Sequence, residues 1–250
     1  MVKSNISQRE VNALNSLNEM NLNTITVPYR IEGSDLYMEE GRVIEKGMID
    51  MDKLYDECLS KMYRVSFSRF SSGFYAFWGT TEIPKEREKY GIYLSRVLKK
   101  IPVSGEWQEL YDFCNTMLNK HIGELNGFCR FHLLHGDLHL GNILLYKTHY
   151  KLIDFEFMRV GPIEIELVFL FYWSVVCSYH SRLLDKKNEF DSFVDRNQLN
   201  VSKQVAWDVF LPLLLLEGWK ACGLKQYKNS ERTLYGIKRV WEEYKNDLFD

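Results

Sequence analysis

The 250-residue chain has only 5 prolines and 15 glycines, and no two glycines stand as G-x-G. Together with the lack of any repeat or low-complexity tract, this excludes collagen-like and disordered classes. Its 5 cysteines, Cys58, Cys114, Cys129, Cys177 and Cys222, are scattered, odd in number and never spaced C-x-x-C. Neither a disulfide framework nor a zinc cluster is predicted, and reduced core thiols are expected. An excess of one charge is also missing: 32 Lys+Arg face 34 Asp+Glu, a formal net charge of -2. No general electrostatic drive toward nucleic acid or anionic lipid exists, so neither partner is expected. The opening residues Met1-Val2-Lys3-Ser4-Asn5 show no basic stretch followed by an apolar run, and the most apolar segment, 167–177, falls well short of the about 20 residues that span a bilayer. That segment reads as a buried core helix, and the chain as cytoplasmic. What is present, 46% hydrophobic and 26% charged residues, suits a globular chain with a sizeable core.

Along the chain, the first twenty residues carry only Val11, Leu14 and Leu17 at helical spacing and predict a short helix or loose arm with no functional signal. Between 24 and 48, short β-like runs separated by Glu32-Gly33-Ser34 and Glu39-Glu40-Gly41 predict a small antiparallel region. Met51, Leu54, Tyr55, Cys58, Leu59, Met62 and Tyr63 fall on one face of a helix, with Asp50 as its N-cap. The aromatic stretch 66–81 fits neither strand nor loop clearly. A second long amphipathic helix is expected from Trp107 to Leu125, then a strand at 130–135, a loop, and a hairpin of 143–146 and 150–153. After Gly161-Pro162 the chain reads as helical almost to its end, with Glu164 and Glu166 where a helix dipole favours carboxylates.

The chemistry-bearing stretch is His135-Gly136-Asp137-Leu138-His139-Leu140-Gly141-Asn142, followed by Lys151-Leu152-Ile153-Asp154-Phe155-Glu156. Asp137 and Asn142 precede the hairpin and Asp154 ends its second strand, so the hairpin folds an acid, an amide and a second acid toward one mouth. Phosphoryl transfer needs such a set, because its work is positioning and neutralising charge on the transferring group. Asp137 fits the base that takes a proton from an acceptor hydroxyl. Asn142 and Asp154 supply the hard oxygens that Mg²⁺ prefers.

These H-G-D-x-H-x-G-N and I-D-F-E motifs resemble the aminoglycoside phosphotransferase and choline kinase family of small-molecule kinases. Gly161-Pro162-Ile163-Glu164-Ile165-Glu166-Leu167 is similar to its G-x-P-x-x-D-L segment, with Glu166 where Asp is usual. The resemblance covers the second half of the chain. It implies an α+β, protein-kinase-like fold with a mostly helical C-terminal lobe, a catalytic β-hairpin and a reduced or truncated N-terminal β lobe. It implies Asp137 as catalytic base, Asn142 and Asp154 as magnesium ligands, and His135 as organiser of the catalytic loop from beneath. His139 reads as a loop-structuring or acceptor-facing residue, and Glu156 as a metal-adjacent or an ion-paired carboxylate. The implied partners are ATP or GTP as phosphate donor and a hydroxyl-bearing small molecule as acceptor, either aminoglycoside, choline-like or sugar-like. Trp78, Trp107, Tyr172, Trp173, Trp207 and Trp219 offer faces for a cationic acceptor, although such rings are more often core. Gly136, His139 and Glu156, where protein kinases carry Arg, Lys and Gly, make a protein substrate the weaker reading.

The nucleotide-binding half is less visible. With no glycine-rich pair, residues 1–48 read as a reduced N-terminal lobe with hinge strands and 49–250 as the catalytic lobe. In one reading Leu36-Tyr37-Met38-Glu39-Glu40 is the hinge. In the other, Lys46 supplies the phosphate contact and Glu57 its partner. A catalytically inactive or truncated kinase-like binding module is the alternative to an active enzyme.

Overall fold

In a computed structural model of the chain, residues 1–43, 49–67, 85, 88–101, 103, 105–177, 181–223 and 230–249 are described. Strand β1 (Val2–Lys3) leads into helix α1 (Gln8–Glu19), whose start is set by Ser7. The Ser7 hydroxyl accepts the Glu10 backbone N–H at 3.1 Å. Serine followed three residues later by glutamate is the capping-box pattern. Ala13, Leu14 and Leu17 are buried on one face of α1. Strands β2 (Tyr29–Glu32) and β3 (Asp35–Met38) then form a hairpin that turns at Gly33, where φ is +61°. Glycine enters that region without a Cβ penalty. β1 pairs antiparallel with β3 on the side away from β2, so the first sheet runs β1-β3-β2.

After β4 (Arg42–Val43), α2 (Met51–Leu54), a π turn (Tyr55–Leu59) and α3 (Ser60–Arg64) follow without interruption. Asp50 caps them as expected, accepting the Lys53 N–H at 3.0 Å; such a cap contributes about 1 kcal/mol. Beyond β5 (Ser66–Phe67) come α4 (Tyr90–Leu98), α5 (Gln108–Lys120) and α6 (Ile122–Gly127). The single helix expected over 107–125 is therefore two. The break falls at His121 (φ -96°, ψ 8°), whose Nε2 lies 2.8 Å from the buried Asp208 carboxylate. That anchoring bond turns the chain where periodicity alone continues it.

β6 (Phe131–Leu134), the hairpin strands β7 (Ile143–Tyr146) and β8 (His149–Leu152), and β9 (Arg159–Gly161) complete the strands. Two further sheets result, β4-β7-β8 and β5-β6-β9. β4 pairs Arg42 with Leu145 and Val43 with Leu144. A parallel bridge joins Thr26 to Leu152, and the Tyr146 hydroxyl donates to Glu39. The hairpin is thus stitched to the N-terminal segment on several sides.

The rest is helical: α7 (Ile163–Val176), α8 (Leu183–Arg196), α9 (Lys203–Val205), a π turn (Ala206–Phe210), α10 (Leu211–Gly223) and α11 (Ser230–Phe249). Every residue of α7 but Ser174 is buried. A helix apolar on all faces belongs at the centre of a bundle. Each fully buried Phe or Leu on it contributes about 1.5–3 kcal/mol. Most of the aromatic residues weighed as acceptor faces are packed here. Trp107, Tyr172, Trp173 and Trp207 are buried, Trp107 stacks on Trp219 at 5.8 Å, and Tyr172 meets Trp207 edge-on at 5.9 Å. Trp78 lies outside the described residues. No described helix is long and apolar enough to cross a membrane.

Candidate active site

The loop between β6 and β7 starts at His135, which is fully buried. Its Nδ1 accepts the Asp137 backbone N–H at 3.4 Å, so Nε2 carries the proton and donates to the Ile153 carbonyl at 2.8 Å. Burial holds the imidazole down at about 4, well below its ordinary value, so the ring is neutral. One ring thereby ties the residue before Asp154 to the backbone of Asp137. The next position is Gly136, at φ +89°. A Cβ there would sit 1.8 Å from the Phe157 carbonyl oxygen, so only glycine fits.

The Gly136 N–H donates to Glu166 Oε2 at 2.8 Å, the Tyr63 hydroxyl donates to Glu166 Oε1 at 3.2 Å, and the Arg159 guanidinium donates to the Gly136 carbonyl. Burial pushes the Glu166 carboxyl up to about 7, although the Gly136 N–H and the Arg159 charge oppose it. Glutamate at this place therefore carries the loop from below, on the first turn of α7. Burial likewise lowers Arg159 to about 10.

On this support, Asn142 Nδ2 donates to the Asp137 carbonyl at 2.8 Å and lies 3.4 Å from Asp137 Oδ2. A carbonyl only accepts, so the amide nitrogen must face it, and Asn142 Oδ1 is turned the other way. His139 caps the short 3₁₀ turn Leu140–Asn142, with Nδ1 accepting the Gly141 N–H at 3.0 Å, which leaves the proton on Nε2. That Nε2 lies 3.7 Å from Asp137 Oδ2. Asp154 has left-handed backbone angles, φ 64° and ψ 62°, unusual for a residue with a Cβ. Asp137 and Asp154 keep 30% and 37% side-chain exposure, so a ligand can reach both. Glu156 lies two residues on, in the 3₁₀ turn Phe155–Phe157, near enough to Glu10 to raise its carboxyl slightly.

The unexpected members come from the first ten residues. Lys3 Nζ lies 2.6 Å from Glu10 Oε2 and 3.1 Å from Asp154 Oδ1. Glu10 is buried, and burial raises its carboxyl while Lys3 opposes the rise. A segment with no functional signal in its sequence thus delivers a cation and a buried acid to Asp154. The available signal was the Ser7-x-x-Glu10 capping pattern, whose glutamate stands seven residues after Lys3. Lys46 lies outside the described residues. Glu57, weighed as its partner, instead accepts the Tyr150 N–H at 2.5 Å and faces His149 Nδ1 at 2.7 Å, fixing β8.

Asn142 Oδ1 and the Asp154 carboxylate are hard oxygen donors, and among the described residues Asp154 Oδ2 has no hydrogen-bond partner. Among the described residues no group of three or more His, Cys, Asp or Glu could hold a metal. Two oxygen donors suit Mg²⁺, which takes its other ligands from water and phosphate, or the similarly hard Mn²⁺, and lack the nitrogen or sulfur that zinc and copper prefer.

Residues 107–188, which hold the loop, the hairpin and the start of the helical region, match the phosphotransferase enzyme family, APH. The family is the one its motifs resemble. Among solved structures, the choline kinase LicA from Streptococcus pneumoniae is 16% identical with a TM-score of 0.59, over 98% of this chain and 85% of that one. A thermostable mutant of the aminoglycoside phosphotransferase APH(4)-Ia is 11% identical with a TM-score of 0.59, over 98% and 86%. An ethanolamine kinase from Plasmodium vivax is 13% identical with a TM-score of 0.55, over 96% and 72%. No curated protein sequence matches this one. The fold is α+β and protein-kinase-like.

Proposed function

We propose that the protein transfers the terminal phosphate of ATP or GTP to a hydroxyl of a small molecule, with Mg²⁺ at Asn142 and Asp154. The observation that carries this reading is a pair of contacts at the two ends of the β7–β8 hairpin, Asn142 on Asp137 and Lys3, held by Glu10, on Asp154, with the ends joined by the Ile153 N–H donating to the Asn142 carbonyl at 3.1 Å. Each has a task the reaction requires. Asp137 accepts the proton of the attacking hydroxyl through Oδ1, because Asn142 Nδ2 and His139 Nε2 both approach Oδ2. Lys3, held by Glu10, directs its ammonium at phosphate oxygens beside Asp154. His135 and Glu166 hold the loop so that these groups need no rearrangement when substrate arrives, which is where such electrostatic catalysis gains most. Bound at Asn142 and Asp154, magnesium would neutralise charge on the transferring group.

Solved structures of the same fold support a nucleotide donor: a spectinomycin phosphotransferase is described with ADP and spectinomycin, and an amicoumacin kinase with AMP-PNP. We further read residues 1–48 as the nucleotide-facing lobe and 49–250 as the catalytic lobe. The deciding experiment measures transfer from radiolabelled ATP and GTP to aminoglycosides, choline, ethanolamine and amino sugars, alongside calorimetric binding of magnesium-nucleotide. Asp137→Asn is expected to lose about 10²–10⁴ in turnover with nucleotide binding kept, and Asp154→Ala to lose the magnesium-dependent binding. Full turnover by Asp137→Asn overturns the reading.

A further inference from the structure

A cleft of about 700 Å³ opens behind β6, at the opposite end of that strand from the loop that carries Asp137. Its walls are the π turn and α3, the chain from Gly127 to Arg130, the start of α7 and the segment from Gln198 to Ser202. None of Asp137, Asn142, Asp154, Lys3 or Glu10 lines it. The volume lies in the range of small-molecule sites.

Its charges are unevenly satisfied. Lys61, Arg64 and Arg130 line the cleft, and among the described residues none of them makes an ion pair. The carboxylates on its walls are largely engaged. Glu164 accepts the Ser202 N–H at 3.1 Å, and Glu124 lies 3.4 Å from His121 Nδ1, leaving Asp56 at the rim. Burial also pushes the Glu164 carboxyl up to about 7, so its negative charge is weakened near neutrality. His132 lines the cleft beside Arg130. Its imidazole is lowered first by burial and then by the Arg130 charge, against the hydrogen bond to the Tyr63 carbonyl. Guanidinium forks bind phosphate and carboxylate groups with paired donors. Asn200 and Gln198 add neutral amide donors on the facing wall.

We propose that this cleft is a second binding site, for a small polyanion held by Arg64, Arg130 and Lys61. The site stands apart from the phosphotransfer reading and does not depend on it. A ligand there would touch His132 on the strand that delivers Asp137, and Glu164, two residues before the glutamate that holds Gly136.

The cleft contains its own reporter. Cys129 is exposed and lines it, Cys177 is exposed, and Cys58, Cys114 and Cys222 are buried. In a full-length Cys177→Ser background, the rate of Cys129 alkylation by a maleimide is measured against inorganic pyrophosphate and, separately, citrate, without magnesium. At least one anion is expected to slow alkylation roughly tenfold at about ten times its dissociation constant. That protection is expected to weaken with added salt, to vanish in Arg64→Gln/Arg130→Gln, and to persist in Asp154→Ala. Arg64 and Arg130 are exposed, so these variants keep the fold, which circular dichroism checks. Pyrophosphate protection without citrate protection assigns the site to phosphate compounds, and the reverse to polycarboxylates. Absence of protection by both anions, protection that survives in the double variant, or protection lost in Asp154→Ala overturns the proposal.

Discussion

Lys3 and Asp154 are separated by 151 positions in the chain and meet at 3.1 Å. The contact depends on β1 pairing with β3, on α1 presenting Glu10 to the same ammonium, and on the left-handed turn that points Asp154 back toward the sheet. If Lys3 contacts phosphate as proposed, removing its ammonium takes away a charge-assisted contact worth about 1.5–3 kcal/mol. Lys3→Ala is therefore expected to weaken ATP binding roughly 10–100-fold, with Lys3→Arg intermediate. Titration calorimetry checks this, and unchanged affinity removes Lys3 from the site.

His139 is expected to act on turnover rather than on nucleotide affinity. Its Nε2–H lies 3.7 Å from Asp137 Oδ2 and its ring is fixed by the Gly141 N–H. His139→Ala should lower turnover roughly fivefold, about the 1 kcal/mol of the bond from the Gly141 N–H that orders the loop beside Asp137, while His139→Gln restores part of it. An equal loss of ATP affinity would place His139 on the donor side instead.

Gly136→Ala should be among the most destabilising single-methyl additions in the chain. The added Cβ has no room beside the Phe157 carbonyl and the backbone sits at φ +89°. A loss of more than about 2 kcal/mol is expected in urea unfolding, with turnover falling because Asp137 is the next residue. A variant of native stability would mean that the β6–β7 loop yields more readily than its hydrogen bonds suggest.

Glu164 sets a pH dependence. Burial raises its native carboxyl to about 7, above its ordinary value near 4.5. Between these values the native state binds a proton that the unfolded chain has released. Its contribution is therefore complete below about pH 4.5 and is lost as pH rises through about 7. Relative to Glu164→Gln, which keeps an acceptor for the Ser202 N–H, the wild type should lose about 3 kcal/mol of unfolding free energy across that window. Parallel stability curves for the two proteins would show the carboxyl to be unperturbed.

The sequence was most readable where local rules and the tertiary structure agree. Asp50 as a cap, the hairpin of β7 and β8, the buried α7 and the meeting of Asp137 with Asn142 follow from spacing and turn residues. What stayed hidden depends on contacts distant in sequence. The break at His121 is set by Asp208, and the place of Lys3 is set by Asp154; neither partner can be read from a window around the residue it governs. β9 was missed because three residues, Arg159–Gly161, are too few to show a period.

The backbone at Asp154 separates folding from chemistry. At φ 64° and ψ 62° a glycine would sit without strain, while any residue with a Cβ pays about 1 kcal/mol or more to stay there. Foldability alone favours glycine at this position. A carboxylate held there against that preference is what the proposed metal site would require, and Asp154→Gly would release the strain only by removing the charge that faces Lys3.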